Sequence, residues 1–371
     1  MADRKQVVFC TDGIFPHSIG GMQRHSALLI EELAHMNVLD LVVIHPHNKP
    51  VFNSSLNIKE IPLNHQNGKK NYLLECYNYS KKVMDALENY PDAVIYSQGL
   101  SVWHKAGKVK NRLIVNPHGL EPFQTIDLVN YLKTAPLRLA FGYIYKRAAK
   151  IISLGGKLTT ILERIAGKDK IAVIPNAVNC GELVQRNWNK DKLELLFVGR
   201  FASNKGIHVL MNAVEAMNNG GYKERYHYHL VGKGPLYEEY IQKYNFDNVT
   251  FHGFASDEDL TAMYKKYDAF VFPTLYEGMP TVVLEAMTAG MPIIVSDTGA
   301  TAELVDRTNG YLIEKNNLRA LKWALQEFYQ LSSDERSKLS VNSYNRVKKN
   351  FTWAVVAKMH VDLFNTFRAG R

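Results

Sequence analysis

Short apolar runs rich in β-branched and aromatic residues recur at 7–9, 41–44, 93–96, 113–115, 151–154 and 171–174, and again at 195–198, 229–231, 249–252, 269–272 and 293–295. Stretches of helical periodicity separate many of them. Residues 22–36 place Leu28, Leu29, Leu33 and Met36 on one stripe, and 72–88 and 159–165 read as helices too. Strands that are apolar throughout have both faces covered, so the alternation predicts an α/β chain of doubly wound parallel sheets. In such sheets ligands bind beyond the carboxyl ends of the strands. With 371 residues, 46% of them hydrophobic, there is material for two domains of roughly 150 to 200 residues each. Residues 175–190 lose apolar periodicity and are rich in Asn, which places a linker there. The expected division is 1–178, 179–350 and a terminal helix, 351–371, where Trp353, Val356, His360 and Leu363 recur at helical spacing.

Residues 273–297, PTLYEGMPTVVLEAMTAGMPIIVSD, carry the most specific chemistry. A loop with Glu277, Gly278 and Met279, then Pro280, leads into a helix from about Thr281 to Ala289, closed by Gly290. Proline at the first position and glycine past the last follow from proline's missing N–H and glycine's tolerance of left-handed φ. Glu285 stands inside the apolar run Val282, Val283, Leu284, Ala286 and Met287. A carboxylate desolvated there is costly unless donors meet it, from the protein or from a ligand. Thr281 shares its helix face, at the end where unpaired amides and the helix dipole favour an anion. Glu277 lies in the loop leading to that same end. Two carboxylates flanking an anion site repel a bare phosphate. They suit a phosphate with hydroxyl-rich groups on both sides, which describes a nucleotide-diphosphate sugar. An ordinary strand, loop and helix with one satisfied glutamate has the same spacing, so the flanking residues decide.

Those residues, E-G-M-P-T-V-V-L-E-A-M-T-A-G-M-P, resemble the E-x7-E signature of glycosyltransferase family 4, retaining enzymes of the GT-B fold. The resemblance implies two facing Rossmann-like domains with a crevice between them: an acceptor domain first, a nucleotide-sugar donor domain second, and a terminal helix crossing back onto the first. It covers nearly the whole chain and is strongest over 195–310.

Further segments gain meaning from it. Gly20 and Gly21 stand at the mouth of the first helix, where a glycine pair is either a tight turn or a close approach to a ligand. The run G-G-M-Q-R-H-S-A-L-L-I-E-E-L is similar to the family's glycine loop, which implies contact with donor phosphate or acceptor. Asn116, Pro117, His118 and Gly119 follow a strand end, and N-P-H-G-L-E resembles the family's HG segment. That implies His118 meets the donor sugar near the reacting carbon, with Glu121 beside it. Arg200 and Lys205, five residues apart in a strand-to-helix loop, are either surface cations or a clamp on a diphosphate. V-G-R-F-A-S-N-K-G resembles the family's G-R-x-x-x-x-K-G, which selects the clamp. The loop before the capping pair Ser256 and Asp259 lies against the base in the family, implying base contacts for Gly253 and Phe254. Thr298-Gly299-Ala300 departs from the family's Gly-Gly pair by having Ala300.

The implied activity is retaining, metal-independent transfer of a hexose from a UDP- or GDP-sugar to a glycan or lipid-linked acceptor, in surface polysaccharide or glycolipid synthesis. Glu277 would hold the sugar hydroxyls and Glu285 the ribose, with no cofactor and no metal. Rival readings are a GT-B enzyme making a small glycoside or epimerising a nucleotide sugar, and an inactive nucleotide-sugar-binding subunit.

Charge is unevenly shared: residues 1–180 hold 22 Lys+Arg and 14 Asp+Glu, a net +8, whereas 181–371 hold 23 and 22, a net +1. A basic half attracts nucleic acid, anionic lipid or a phosphorylated small molecule, or simply keeps the chain in solution. Dispersed lysines without a binding motif argue against nucleic acid. Residues 125–150 interleave aromatic and aliphatic side chains with Lys133, Arg138, Lys146, Arg147 and Lys150, and Pro136 breaks them into two helices. They either lie on an anionic membrane or pack on the sheet with solvated cations. No apolar run reaches the ~20 residues of a membrane span. The N-terminus, MADRKQVVFC, has no signal-peptide core, so the expected location is the cytoplasm, with peripheral contact at the membrane's inner face. Cys10, Cys76 and Cys180 are scattered, which disfavours a disulfide framework or a zinc site.

Overall fold

A computed structural model of the chain describes residues 4–65, 71–124 and 128–367. It divides into two compact units, one running to Asn176 and resuming at Trp353, the other from Ala177 to Thr352. The first boundary falls inside the Asn-rich stretch read as a linker.

The first unit holds seven strands: β1 Lys5–Cys10, β2 Leu39–His45, β3 Ile58–Pro62, β4 Val94–Gln98, β5 Leu113–Asn116, β6 Lys150–Ser153 and β7 Ile171–Val173. All pair in parallel, in the order β3-β2-β1-β4-β5-β6-β7, so the order reverses between β1 and β4. Sequence reading missed β3. Its segment IKEIP is half exposed, carries Lys59 and Glu60, and ends in proline, features of an edge strand that read as loop. The last helix, Trp353–Asn365, belongs to this unit and buries Trp353, Val356, Ala357, His360 and Phe364.

The second unit repeats the plan with six strands: β8 Leu193–Val198, β9 Tyr226–Val231, β10 Val249–Gly253, β11 Ala269–Phe272, β12 Ile293–Ser296 and β13 Gly310–Ile313. They too are parallel, ordered β10-β9-β8-β11-β12-β13, and reverse between β8 and β11. Phe197, Phe201, Phe270 and Phe272 form a fully buried aromatic cluster under that switch point. Each ring contributes about 1.5–3 kcal/mol by leaving water, which stabilises the two strands that bear the site loops. The expected break in 125–150 is at Thr134, between helices Leu128–Lys133 and Ala135–Arg147, and Pro136 lies in the first turn of the second, where its missing N–H costs nothing.

Candidate active site

Loops leaving a parallel sheet at its switch point diverge and open a crevice between them. In the second unit these are the loops after β8 and β11, and they carry most of the candidate residues. Gly199, Arg200 and Lys205 come from the first, and Glu277 to Thr281 from the second. The two loops touch at Gly206, whose φ is +68°, and a Cβ there would lie 1.8 Å from the carbonyl oxygen of Pro273. Only glycine permits this approach. It brings Lys205 Nζ to 2.5 Å from Glu277 Oε1. The buried hydroxyl of Thr274 donates to the same carboxylate oxygen at 2.9 Å. Arg200 is exposed on the same loop.

The helix after Glu277 runs Thr281–Thr288, with Pro280 at its N-cap and no side chain capping it. Pro280 thus precedes the helix by one residue instead of opening it. Gly290, at φ +69°, follows the end. Val283, Leu284, Ala286 and Met287 are buried, whereas Thr281 is exposed and Glu285 half-buried on the opposite face. Helical periodicity of 3.6 residues turns Glu285 away from the apolar stripe that surrounds it in sequence but leaves it half-buried, so the donor expected there is still needed. Its Oε2 accepts a hydrogen bond from the Tyr264 hydroxyl at 2.9 Å. Tyr264 is buried in the neighbouring helix Asp257–Lys266. Sequence reading missed it, because a tyrosine among helix positions of mixed character carries no signal of its partner. Burial and the adjacent Glu285 raise the Tyr264 hydroxyl well above its ordinary range, so it remains a donor.

Gly278 O accepts from Ala300 N at 2.8 Å. Gly299, at φ +54°, would put a Cβ 2.2 Å from Glu277 O. The loop 298–300 therefore cradles the Glu277 turn, and the required glycine is the one this chain keeps, while Ala300 is fully buried behind it. Met279 is buried. Gly253 ends β10 at φ +72°, and Phe254 beside it is 80% exposed. Ser256 and Asp259 form the expected capping box.

In the first unit, Gly20 and Gly21 open the helix Gly21–Met36. A Cβ on Gly20 would meet Gln23 Oε1 at 2.2 Å, whereas one on Gly21 would meet nothing within 4 Å. His118 follows β5 in the left-handed region, at φ +57°. Its ring stands edge-on to that of His25, 4.8 Å between centroids. The Nε2 atoms of both are out of water's reach and without hydrogen-bond partners among the described residues. Burial pushes His118 down to about 3 and His25 well below its usual range, so both are neutral at physiological pH. Asp12, at the carboxyl end of β1, was not singled out in the sequence. Burial raises its carboxyl to about 6, against the opposing effect of hydrogen bonds, foremost that from Gln23 Nε2 at 3.0 Å. Among the described residues no cluster of His, Cys, Asp and Glu could hold a metal ion, and no helix is long and apolar enough to cross a membrane.

Comparison with known proteins bears on the family and the fold. Residues 19–182 match the family described as Glycosyltransferase Family 4, and residues 182–346 the one described as Glycosyl transferases group 1. An uncharacterized glycosyltransferase of Methanocaldococcus jannaschii is 26% identical over 298 residues, covering 76% of this chain and 77% of that protein. The capsular polysaccharide biosynthesis glycosyltransferase CapM of Staphylococcus aureus is 28% identical over 245 residues, 59% of this chain and 62% of CapM. Two other matched relatives are spanned over about half their length. Among solved structures, sucrose-phosphate synthase from Thermosynechococcus elongatus superposes with a TM-score of 0.79 at 20% identity, over 98% of this chain and 99% of that one. Anabaena Alr3699/HepE in complex with UDP-glucose does so with 0.69 at 15%, over 97% and 99%.

Proposed function

Because the chain belongs to glycosyltransferase family 4 and is a glycosyltransferase of the GT-B fold, we propose that it moves a hexose from a UDP- or GDP-sugar to a glycan or lipid-linked acceptor, with retention at the anomeric carbon and without a metal. The observation that carries this reading is the Lys205–Glu277 pair beside the side-chain-uncapped helix that starts at Thr281. Glycosyl transfer breaks the bond between the anomeric carbon and a diphosphate oxygen, and negative charge grows on the departing diphosphate. Lys205, Arg200 and the helix end at Thr281 offset that charge as it forms. Glu277, fixed by Lys205 and Thr274, accepts from hydroxyls of the donor sugar, and Glu285, oriented by Tyr264, accepts from the ribose. An ionised carboxylate offers about four acceptor sites, so orientation by one donor is compatible with ligand contact. Gly278 and Pro280 shape the turn between them, and Gly253 and Phe254 present an aromatic face to the base. In the first unit, Gly20 and Gly21 approach the donor phosphate or the acceptor, and neutral His118 meets the sugar near the reacting carbon.

The pathway proposed is surface polysaccharide or glycolipid synthesis, supported by the likeness to CapM. Peripheral membrane contact fits a lipid-linked acceptor. Leu132 and Leu139 are 62% and 76% exposed on the helices Leu128–Lys133 and Ala135–Arg147, amid Lys133, Arg138, Lys146 and Arg147.

The test is incubation with a panel of nucleotide sugars and both lipid-linked and soluble acceptors, with and without EDTA, and NMR of the product's anomeric configuration. An α-linked product from an α-linked donor, formed equally in EDTA, supports the proposal, and inversion or loss in EDTA overturns it. Transfer only to a small sugar or epimerised donor would favour the soluble enzymes. Binding without turnover on any acceptor would make the chain a binding subunit.

A further inference from the structure

Behind His118 runs a hydrogen-bonded relay that ends in the last helix. His360 Nδ1 lies 2.8 Å from the carbonyl oxygen of Val356, which can only accept, so Nδ1 carries the proton and Nε2 is an acceptor. The hydroxyl of Tyr96 lies 3.2 Å from that Nε2 and must donate to it. Its oxygen is then available to accept from Asn116 Nδ2 at 2.8 Å. The remaining atom of the amide, Asn116 Oδ1, accepts the backbone N–H of His118 at 3.0 Å. Reading from His118, whose N–H can only donate, gives the same assignment. Every proton in the relay has one possible place.

The relay is buried throughout: Tyr96, Asn116 and His360 are each no more than 1% exposed. The Tyr96 ring is held at 4.7 Å by Phe9 and edge-on at 5.9 Å by Phe364 of the same last helix. At its far end the relay reaches a residue with a left-handed φ and a β-carbon, a conformation that costs roughly 1 kcal/mol or more and persists only where neighbours impose it. Here the imposing groups are the Asn116 amide and the 2.7 Å contact from Gly119 N to Pro117 O. Burial keeps His360 neutral, near 4, so its Nε2 stays an acceptor at physiological pH.

We propose that His360, Tyr96 and Asn116 are positioning residues for the transfer reaction: they hold the His118 backbone in its left-handed turn, and so aim its ring, from the chain's last helix. This rests on the reading of His118 as a donor-sugar contact. The helix is therefore part of the working site as well as packing for the first sheet. An interaction that aims a group without touching substrate alters the reaction step more than binding, because misplacement of the order of 1 Å costs up to about a hundredfold in rate.

The experiment compares Tyr96→Phe, which removes one hydroxyl and keeps the ring, with His360→Leu, His360→Gln and His118→Ala in steady-state transfer assays. The expected result is a kcat about tenfold lower for Tyr96→Phe and His360→Leu, with donor KM changed less than about twofold. His360→Gln, which retains an acceptor, recovers most of the loss. In the His118→Ala background, Tyr96→Phe has no further effect. Wild-type kcat in a folded Tyr96→Phe protein overturns the proposal, and so does a loss that persists undiminished when His118 is alanine. If His118→Ala itself turns over normally, the reading of His118 falls, whatever Tyr96 does. Should His118→Ala be too slow to assay, the φ of residue 118 in a crystal of Tyr96→Phe decides. Departure from the left-handed region supports the relay, and an unchanged turn overturns it.

Discussion

Lys205 and Glu277 meet at 2.5 Å although 72 residues separate them, and Thr274 donates to the same carboxylate oxygen. The Lys205 side chain is 25% exposed and that of Glu277 10%, so the pair is neither a screened surface bridge nor a fully desolvated one. Lys205→Ala is expected to lower kcat by about a hundred- to a thousandfold, the range for loss of one group facing developing charge. Glu277→Gln keeps the shape and loses the charge, and a comparable fall in kcat is expected. Near-wild-type turnover in either variant would remove the pair from the mechanism. Tyr264→Phe should act more gently, raising donor KM a few-fold and costing about 1 kcal/mol of stability through one lost hydrogen bond.

Gly206 is a structural requirement with a functional result. Gly206→Ala must relieve both a left-handed φ and a Cβ placed 1.8 Å from Pro273 O. A loss of roughly 2–4 kcal/mol, read as a lower denaturant midpoint, is expected. Where the variant still folds, the loops after β8 and β11 separate, and activity falls along with the Lys205–Glu277 contact. Gly21→Ala, by contrast, meets no protein atom within 4 Å and should leave stability within about 0.5 kcal/mol.

Acid should weaken the first unit earlier than an average surface would suggest. His118 and His360 titrate near 3 and 4 in the folded chain, and His25 lies well below its usual value, all through burial. Their unfolded forms take up protons from about pH 6.5 downward, so the unfolded state binds more protons below that pH. The stabilising contribution is thus complete above 6.5 and is lost as pH falls toward 4. Each group adds a slope of about 1.4 kcal/mol per pH unit. Denaturant midpoints measured from pH 7 to 4 should fall, and less steeply for His118→Gln. A pH-independent midpoint over that window would contradict the burial of these rings.

The exposed Leu132 and Leu139 and their neighbouring cations predict flotation with vesicles containing anionic lipid. Binding should weaken with salt, since each cation contributes about 1 kcal/mol that screening removes. Leu132→Ser with Leu139→Ser should abolish flotation at all salt concentrations. Binding that persists in the double variant would place the contact elsewhere.

Much of the architecture was legible because it depends on local rules. Apolar runs covered on both faces identified strands such as β8, β11 and β12, proline and glycine bracketed the helix at Thr281, and the Ser256–Asp259 cap formed where its spacing indicated. Residues whose type and spacing match a known motif, Arg200, Lys205, Glu277 and Glu285, could be named from the chain alone. What only the tertiary structure decided were partners. β3 escaped because an edge strand lacks the apolar run, and Glu285's partner Tyr264, Thr274, His25 and the relay from His118 to His360 left no mark in the sequence. The physical reason is that hydrogen bonds and close approaches are set by three-dimensional distance. Tyr96 and His360 are 264 residues apart, and nothing in either neighbourhood encodes the other until the sheet and the last helix bring them together.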